Sequence, residues 1–157
     1  MTPAPGKLEA ATRRPPARSL ASAAQAQAEA TLRTFHEHSK DRAPVEHLAT
    51  TIHPDAEMRL LVSFGEVLRG RAAIVHALQS GREAEFFHSH VLGFTWLDQS
   101  TPLVAGHALR ALRGGGHAQG HVFWLDELLD GLVYRVQVFS TESEARAAFV
   151  ECLSPAG

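Results

Sequence analysis

The amino-acid sequence predicts an α+β protein in which helices gather on one face of a curled, mainly antiparallel sheet. Strand-like segments follow one another through residues 82–139 with only turns between them. Such short connections favour antiparallel neighbours, because a parallel pair needs a crossover of a dozen or more residues. The sequence upstream is helical in pattern, and a short helix closes the chain. The strands predicted in this block are Glu85–Leu97, Leu103–Leu112, His117–Leu125 and Leu132–Phe139.

The elements outside this block are predicted from residues that start and stop helices. Pro44 suits the first position of a helix, and Gly81 suits the position just after one. Thr141 and Glu144 match a capping box, with a hydroxyl and a carboxylate three residues apart. The predicted helices are Ser19–Lys40, Pro44–Thr51, Arg71–Ser80 and Glu142–Cys152, and the predicted strands are Ala56–Ser63 and Val67–Leu68.

The ends of the chain differ in composition from its middle. Residues 1–18 are rich in Pro, Ala and Arg, and we expect them to form a disordered tail. We expect one folded domain over residues 19–152, followed by a short C-terminal tail at residues 153–157. The chain length of 157 residues, with 45% hydrophobic and 20% charged residues, is ordinary for a single domain with one core.

Charge and cysteine content exclude several classes of function. The formal net charge of −2 argues against a nucleic-acid partner, which would need clustered basic residues. The single cysteine, Cys152, excludes an intramolecular disulfide and a cysteine-based zinc site. No apolar run approaches the roughly 18 residues of a membrane span. We therefore expect no membrane partner and a cytoplasmic location.

Four local motifs follow one another in a fixed order along the chain. They are His53–Met58 at the start of the first strand, Leu68–Ile74 at the turn into a helix, His121–Trp124 with Asp130–Val133 in the last hairpin, and Val136–Phe139 with Thr141–Ala147 at the last helix. In this order they resemble the NTF2-like superfamily, specifically its SnoaL-like branch of polyketide cyclases and ketosteroid isomerase-like proteins. The resemblance covers about residues 28–149.

The resemblance implies a cone-shaped fold. A strongly curved, mixed but mainly antiparallel sheet would wrap around the N-terminal helices, with a pocket between the two. It also implies a homodimer, formed through the outer face of the sheet, and no metal or other cofactor. Members of this branch include isomerases, cyclases and epoxide hydrolases as well as binding domains without chemistry, so the fold alone does not fix the function.

The ten histidines are unusual for a chain of this length. His88 and His90 share one face of a predicted strand, since side chains two residues apart point the same way. His107 and His121 lie on the next two strands, where either His121 or its neighbour Val122 falls opposite His107. If the registers aligned, three or four imidazoles could converge on a metal ion; otherwise they are separate polar residues of the sheet. We assign no metal site.

General acid–base chemistry is the sharper hypothesis for these histidines. An imidazole in an apolar pocket can pass a proton near neutral pH. His107 or His121 would be the base, and Tyr134 or Arg135 would stabilise the developing negative charge. Strand alternation allows only one of Tyr134 and the Arg135–Gln137 pair to point inward. The residues predicted to line the ligand pocket are Phe35, Met58, Phe86, His90, Trp124 and Gln137.

One departure from the resembled enzymes concerns carboxylates. Those enzymes generally place an Asp or Glu inside the pocket, whereas here the acidic residues after Asp55 are predicted at turns and strand ends. Asp126 in particular falls in the predicted connection Asp126–Gly131, and Glu57, on the first strand, is the exception. An enzyme of the carboxylate type is therefore disfavoured.

Two hypotheses of different classes follow. The first is a SnoaL-like protein that binds a small, largely apolar organic molecule and acts on it as an isomerase- or cyclase-type enzyme by histidine proton transfer. The alternative is a non-catalytic NTF2-like domain for dimerisation or interaction. The lining of the pocket discriminates between them, because convergent polar groups favour an enzyme and a closed apolar interior favours an interaction domain.

Overall fold

The structure is a computed structural model that describes residues 18–38, 44–59, 67–83, 88–111 and 114–153. The predicted disordered tail lies almost wholly outside the described residues, as does Phe86. Among the described residues, no helix is long and apolar enough to cross a membrane. The helices are α1 (Arg18–His36), α2 (Val45–Ala49), α3 (Arg71–Glu83) and α4 (Glu142–Leu153), and the strands are β1 (Ile52–Arg59), β2 (Val67–Arg69), β3 (His88–Trp96), β4 (Pro102–Ala111), β5 (His117–Leu129) and β6 (Leu132–Phe139).

The six strands form one mixed sheet in the order β2-β1-β6-β5-β4-β3. Every neighbouring pair is antiparallel except β1 and β6, which run parallel. This confirms the predicted α+β class with a mixed but mainly antiparallel sheet. The parallel pair arises because β1 and β6 are joined through the rest of the chain and not through a hairpin.

The core lies between the helices and one face of the sheet, here called the inner face. Leu32 and Phe35 of α1 and Ile74 of α3 pack there against Val104 and Val136 of the sheet. Helix α4 packs on the opposite, outer face, where it contacts β4, β5 and β6. Its start is capped as predicted, since the Glu144 amide donates to the Thr141 hydroxyl at 3.2 Å.

The largest boundary error concerns β5. The predicted strand ended at Leu125, whereas β5 continues to Leu129, and the connection shrinks to Asp130–Gly131. Both of these turn residues have positive φ, 54° and 74°, which is the backbone of a two-residue type I′ hairpin. The prediction that Asp126 lies in a turn is therefore wrong, because it belongs to the interior of a central strand.

Other boundaries moved by a few residues. Strand β1 begins at Ile52 instead of Ala56 and includes Pro54. Helix α3 runs through Gly81 to Glu83, since a glycine is a weak stop unless its backbone adopts the left-handed conformation. Helix α1 ends at His36, four residues before the predicted Lys40.

Candidate functional site

A histidine and an aspartate meet inside the core. Nε2 of His36, the last residue of α1, lies 2.5 Å from Oδ2 of Asp126 on β5. The side chain of His36 is 3% exposed and that of Asp126 is 0% exposed. The second carboxylate oxygen, Asp126 Oδ1, is also buried and has no hydrogen-bond partner among the described residues. A buried polar atom without a partner costs stability, so it calls for an explanation.

The patterns of β5 and α1 explain why both side chains point inward. Val122, Trp124 and Asp126 alternate along β5, so they share the face that is packed against the helices, and all three are buried. On α1, His36 lies one turn beyond Leu32, and residues four apart share one side of a helix. The same periodicities that bury the apolar residues therefore bring the imidazole to the carboxylate.

Trp124 fixes the position of the imidazole. Its ring lies over His36 with the two ring centroids 4.4 Å apart. The indole occupies space left free by Gly106 on β4, because a Cβ at Gly106 would lie 2.5 Å both from the carbonyl oxygen of His90 and from the Trp124 ring. Only glycine permits this approach, so Gly106 is part of the structure that positions the pair.

A cavity of about 780 Å³ opens between the first half of α1 and two chain turns. Its walls are apolar at Ala24, Ala28, Trp96 and Leu128, and its rim is polar. The Trp96 indole donates to Glu29 Oε1 at 2.8 Å, which ties the wall of the cavity to α1. No basic side chain is found among the described residues that line the cavity, and those at the rim are Gln25, Asp98, Gln99, Ser100, Asp130 and Gly131.

Asp98, at this rim, is held in its charged form by neighbouring hydrogen bonds. Burial raises the pKa of its carboxyl, but hydrogen bonds from Ser100 and Thr101 outweigh burial, so that the pKa falls below the ordinary value of 3.8. Its carboxylate accepts from the Ser100 amide at 2.8 Å and from the Ser100 hydroxyl at 3.3 Å. Asp98 is therefore negatively charged at neutral pH and holds the β3–β4 connection in shape.

Residues of α1 and β5 form both the wall of the cavity and the buried pair. Along α1, Ala24 and Ala28 line the cavity, Leu32 follows in the core and His36 reaches Asp126. On β5, Leu128 lines the cavity and lies two residues beyond Asp126, a distance of about 7 Å along a strand. The pair thus lies deeper along the same interior, behind Leu32 and Leu128.

The histidines predicted to act as bases form a row across the sheet. His90 pairs with His107, and His107 with His121, on β3, β4 and β5. The rings of His107 and His121 lie 4.4 Å apart. They alternate with the core residues Gly106 and Val122, so the row lies on the outer face.

The middle residue of this row, His107, is more buried than the residues on either side, His90 and His121. His121 is exposed, and His107 is half-buried with its Nδ1 atom buried and without a partner among the described residues. The His90 side chain is 53% exposed and lies 3.7 Å from Glu37. Within the described part of the chain, no group of three His, Cys, Asp or Glu residues is placed to hold a metal ion. The catalytic roles assigned to His107 and His121 stay predictions.

Arg135 and Gln137 also lie away from the core. Arg135 donates to Glu127 at 3.0 Å and lies 3.9 Å from Glu57. With Gln137 it lines a smaller cavity of about 220 Å³ against α4. Tyr134 is the extra residue of a β-bulge on β6, since Glu127 pairs with Arg135 and the next residue, Leu128, with Val133. Its ring, half-buried, lies 5.4 Å from that of His53.

The residues predicted to line the ligand pocket divide into two groups. Phe35, Met58 and Trp124 belong to the core on the inner face, and the rings of Phe35 and Trp124 both contact the His36 ring, with centroids 4.9 and 4.4 Å away. His90 and Gln137 are placed toward the outer face, and Phe86 lies outside the described residues. The structure thus brings Phe35 and Trp124 together with His36 and Asp126, two residues that sequence reasoning missed.

A signal for the burial of each of these two residues was present in the sequence. Asp126 follows Val122 and Trp124 at the spacing of one strand face, which would have placed it inside if the strand had been extended. For His36 the spacing of four residues from Leu32 also indicates a buried side chain, but its partner cannot be predicted from local spacing, because that partner is 90 residues away.

Neither a family model nor a curated protein matches the chain. Solved structures do match. A ketosteroid isomerase-like protein from Kribbella flavida is 23% identical, with 74% of this chain and 79% of that protein covered at a TM-score of 0.57. A SnoaL-like polyketide cyclase candidate from Jannaschia sp. CCS1 is 14% identical, with 84% and 94% covered at a TM-score of 0.59.

A third similar structure is that of an enzyme. SalBIII, an epoxide hydrolase/cyclase-like enzyme with a role in pyran ring formation in the polyether salinomycin, is 15% identical, with 76% of this chain and 94% of SalBIII covered at a TM-score of 0.63. At these identities the likeness concerns the fold. The chain has the NTF2-like fold, in the form found in SnoaL-like polyketide cyclases and ketosteroid isomerase-like proteins.

Proposed function

We propose that the chain binds a small, largely apolar organic molecule between α1 and the inner face of the sheet and moves a proton on it. Asp126 is the base, and His36 is the residue that positions it by a hydrogen bond to Oδ2. The observation that supports this proposal most strongly is the free oxygen Asp126 Oδ1, which is fully buried while Oδ2 is held by His36. A carboxylate with one bound and one free oxygen is arranged to accept a proton at the free one.

The chemistry follows from that arrangement. With its Nε2 protonated, His36 donates to Oδ2, so that the lone pairs of Oδ1 remain available. Oδ1 takes a proton from a carbon next to a ligand carbonyl; the C–H bond breaks, an O–H bond forms and the electron pair moves to the carbonyl oxygen as an enolate. Return of the proton to another carbon completes an isomerisation. Alternatively, the enolate carbon attacks a second carbonyl, a C–C bond closes the ring, and the resulting alkoxide takes the proton back from Oδ1. Both belong to the isomerase or cyclase class.

A structural role alone explains the pair less well. A buried ion pair replaced by apolar residues of similar volume is often as stable or more stable. Here the pair also leaves one oxygen without a partner among the described residues, which adds a further cost. Features that lower stability and have no evident structural benefit are concentrated at functional sites.

The cavity indicates what kind of molecule is bound. Its apolar walls suit a hydrocarbon or aromatic body. Its rim carries Asp98 and Asp130 and, among the lining residues, no basic side chain. We therefore propose a ligand whose outer end is neutral or positively charged and whose inner end carries a carbonyl group with an adjacent acidic C–H bond.

A generic proton-transfer probe tests this function. Nitrobenzisoxazole is a small apolar aromatic that opens when a base removes its ring C–H proton and the N–O bond breaks to give a coloured nitrile-phenolate. We expect turnover by the full-length protein, and its loss in Asp126→Asn but not in Asp55→Asn, which neutralises an exposed acid of the same size. General-base catalysis contributes about 10²–10⁴-fold in rate. Equal turnover by folded Asp126→Asn would contradict the proposal.

The rival assignment is that histidines of the outer face are the bases. If His107 and His121 are the bases, turnover is lost in the double variant His107→Gln/His121→Gln and retained in Asp126→Asn. We expect the reverse, because these rings lie across the sheet from the cavity that would hold the probe. The same two variants therefore decide between the two assignments.

We also propose that a second copy of the chain covers the outer face. Ala105, Phe123 and Phe139 are apolar residues of that face and are only half-buried. Light scattering on the purified protein tests this directly. We expect a dimer in the wild type and a monomer in Phe123→Lys, and a monomeric wild type would overturn the proposal.

A further inference from the structure

We propose that Leu128 is a specificity-determining gate between the cavity beside Trp96 and the His36–Asp126 pair. The inference rests on the proposed function in one respect, namely that Asp126 is the group the ligand must reach. It concerns the path to that group, which is closed in the structure because both side chains of the pair are buried.

On the helix side, Leu32 lies between the cavity and the pair. Ala28 lines the cavity, and His36 lies two turns further along α1, about 12 Å along the helix axis. Leu32, between them and 0% exposed, is part of the core cluster together with Phe35 and Ile52. A side chain packed on all sides in this way has little freedom to move, so we assign the moving part to the sheet side.

On the sheet side the barrier is Leu128. It lines the cavity and also packs against the core cluster, so one side chain has the cavity on one side and the interior on the other. The β-bulge at Tyr134 shifts the register between Glu127 and Leu128. Leu128 lies two residues after Asp126 on β5, so regular alternation points both side chains inward. Because the extra residue of the bulge is on β6, it is Val133 that is re-aimed to lie inward, opposite Leu128.

The backbone of Leu128 is held in place, so the opening must come from its side chain. Its amide donates to the Ser100 carbonyl at 2.8 Å, which ties β5 to the β3–β4 connection. Rotation of a partly buried leucine between staggered rotamers is a small motion that needs no change in the strand. The size of the residue at position 128 then determines how bulky a ligand can reach Asp126.

The two tryptophans of the chain report separately on the cavity and on the interior beside the His36–Asp126 pair. Trp96 lines the cavity, whereas Trp124 lies against His36, and the sequence has no third tryptophan. In the variant Trp96→Phe, fluorescence therefore comes from Trp124 alone. Quenching of that fluorescence by acrylamide, a small neutral molecule, measures access to the interior beside the pair.

We expect acrylamide to quench Trp124 poorly in Trp96→Phe and several-fold more strongly after the further change Leu128→Ala. Leu128→Met, which nearly conserves side-chain volume, should keep the weak quenching. Leu129→Ala removes an exposed neighbour, 42% exposed, and should also leave it unchanged. Ile74→Ala creates a core cavity away from this path, so it shows whether loosening of the core alone exposes Trp124.

Two results overturn the gate. One is equal quenching in Leu128→Ala and in the parent variant, with both folded by circular dichroism. The other is an equal rise in Ile74→Ala, which would mean general loosening. Nitrobenzisoxazole and a bulkier naphthisoxazole add a functional readout: Leu128→Ala should shift the kcat/KM ratio toward the bulkier probe, and Ile74→Ala should not. Since quenching requires no turnover, a gate that opens in an inactive protein would leave this inference standing while the proposed function fails.

Discussion

His36 and Asp126 lie 90 residues apart in the chain and meet in the core with Nε2 and Oδ2 2.5 Å apart. Each is the polar member of an otherwise apolar surface, one on α1 and the other on β5. Their contact leaves Asp126 Oδ1 as a buried acceptor without a partner among the described residues. This free oxygen gives the interior a chemical group that a purely apolar core would lack.

The first prediction concerns the stability of the pair. His36→Leu leaves Asp126 buried without its partner, so we expect the free energy of unfolding to fall by about 3–5 kcal/mol. In the double variant His36→Leu/Asp126→Ala no buried charge remains and the combined side-chain volume is nearly conserved, so most of the loss should be recovered. Urea unfolding of the wild type, both single variants and the double variant measures the coupling. Additive losses would show that the two groups do not stabilise one another.

The second prediction concerns Gly106. A Cβ there would lie 2.5 Å from the His90 carbonyl oxygen and from the Trp124 ring, so Gly106→Ala must displace one of them. We expect a loss of about 1–3 kcal/mol or more in the free energy of unfolding and a changed near-ultraviolet circular dichroism from Trp124. Gly120→Ala is the matched control, because a Cβ there meets no atom within 4 Å. Similar behaviour of the two variants would contradict the close approach of Trp124 to β4.

The third prediction concerns pH and the β3–β4 connection. The pKa of Asp98 is lowered in the folded state, so its contribution to stability is present above the unfolded pKa of about 3.9. That contribution is lost as the pH falls through the lower, folded pKa. We therefore expect Asp98→Asn to be less stable than the wild type at neutral pH and the difference to shrink in acid. Urea midpoints measured across this range check the sign; a difference that grows in acid would contradict it.

Local patterns were enough to predict much of the fold. The bounds of β6 were predicted as they stand, and those of β4 to within one residue, because turn residues and apolar alternation are properties of neighbouring positions. Register was harder. Either His121 or Val122 was expected opposite His107, and the structure pairs His107 with His121. On β3, Leu92 is the extra residue of a bulge between Val91 and Gly93. A bulge adds one residue to one strand and reverses the faces beyond it, which a regular alternation cannot reveal.

The candidate site was less predictable for a related reason. Two adjacent acids, Asp126 and Glu127, interrupt an apolar run, and such polar pairs usually mark a turn. In the folded chain Glu127 faces outward to Arg135, while Asp126 faces inward to His36. Which of two neighbouring acids is buried depends on contacts with distant parts of the chain. The family resemblance nevertheless predicted that an enzyme of this fold would hold a carboxylate inside.

The most direct test of the central claim is nitrobenzisoxazole turnover by the double variant His36→Leu/Asp126→Ala. This variant keeps an apolar, well-filled core, so loss of activity cannot be attributed to unfolding if its circular dichroism matches that of the wild type. We expect turnover to fall by about a hundredfold or more while the fold is retained. Turnover equal to that of the wild type would show that the buried pair is structural and that the reacting base lies elsewhere.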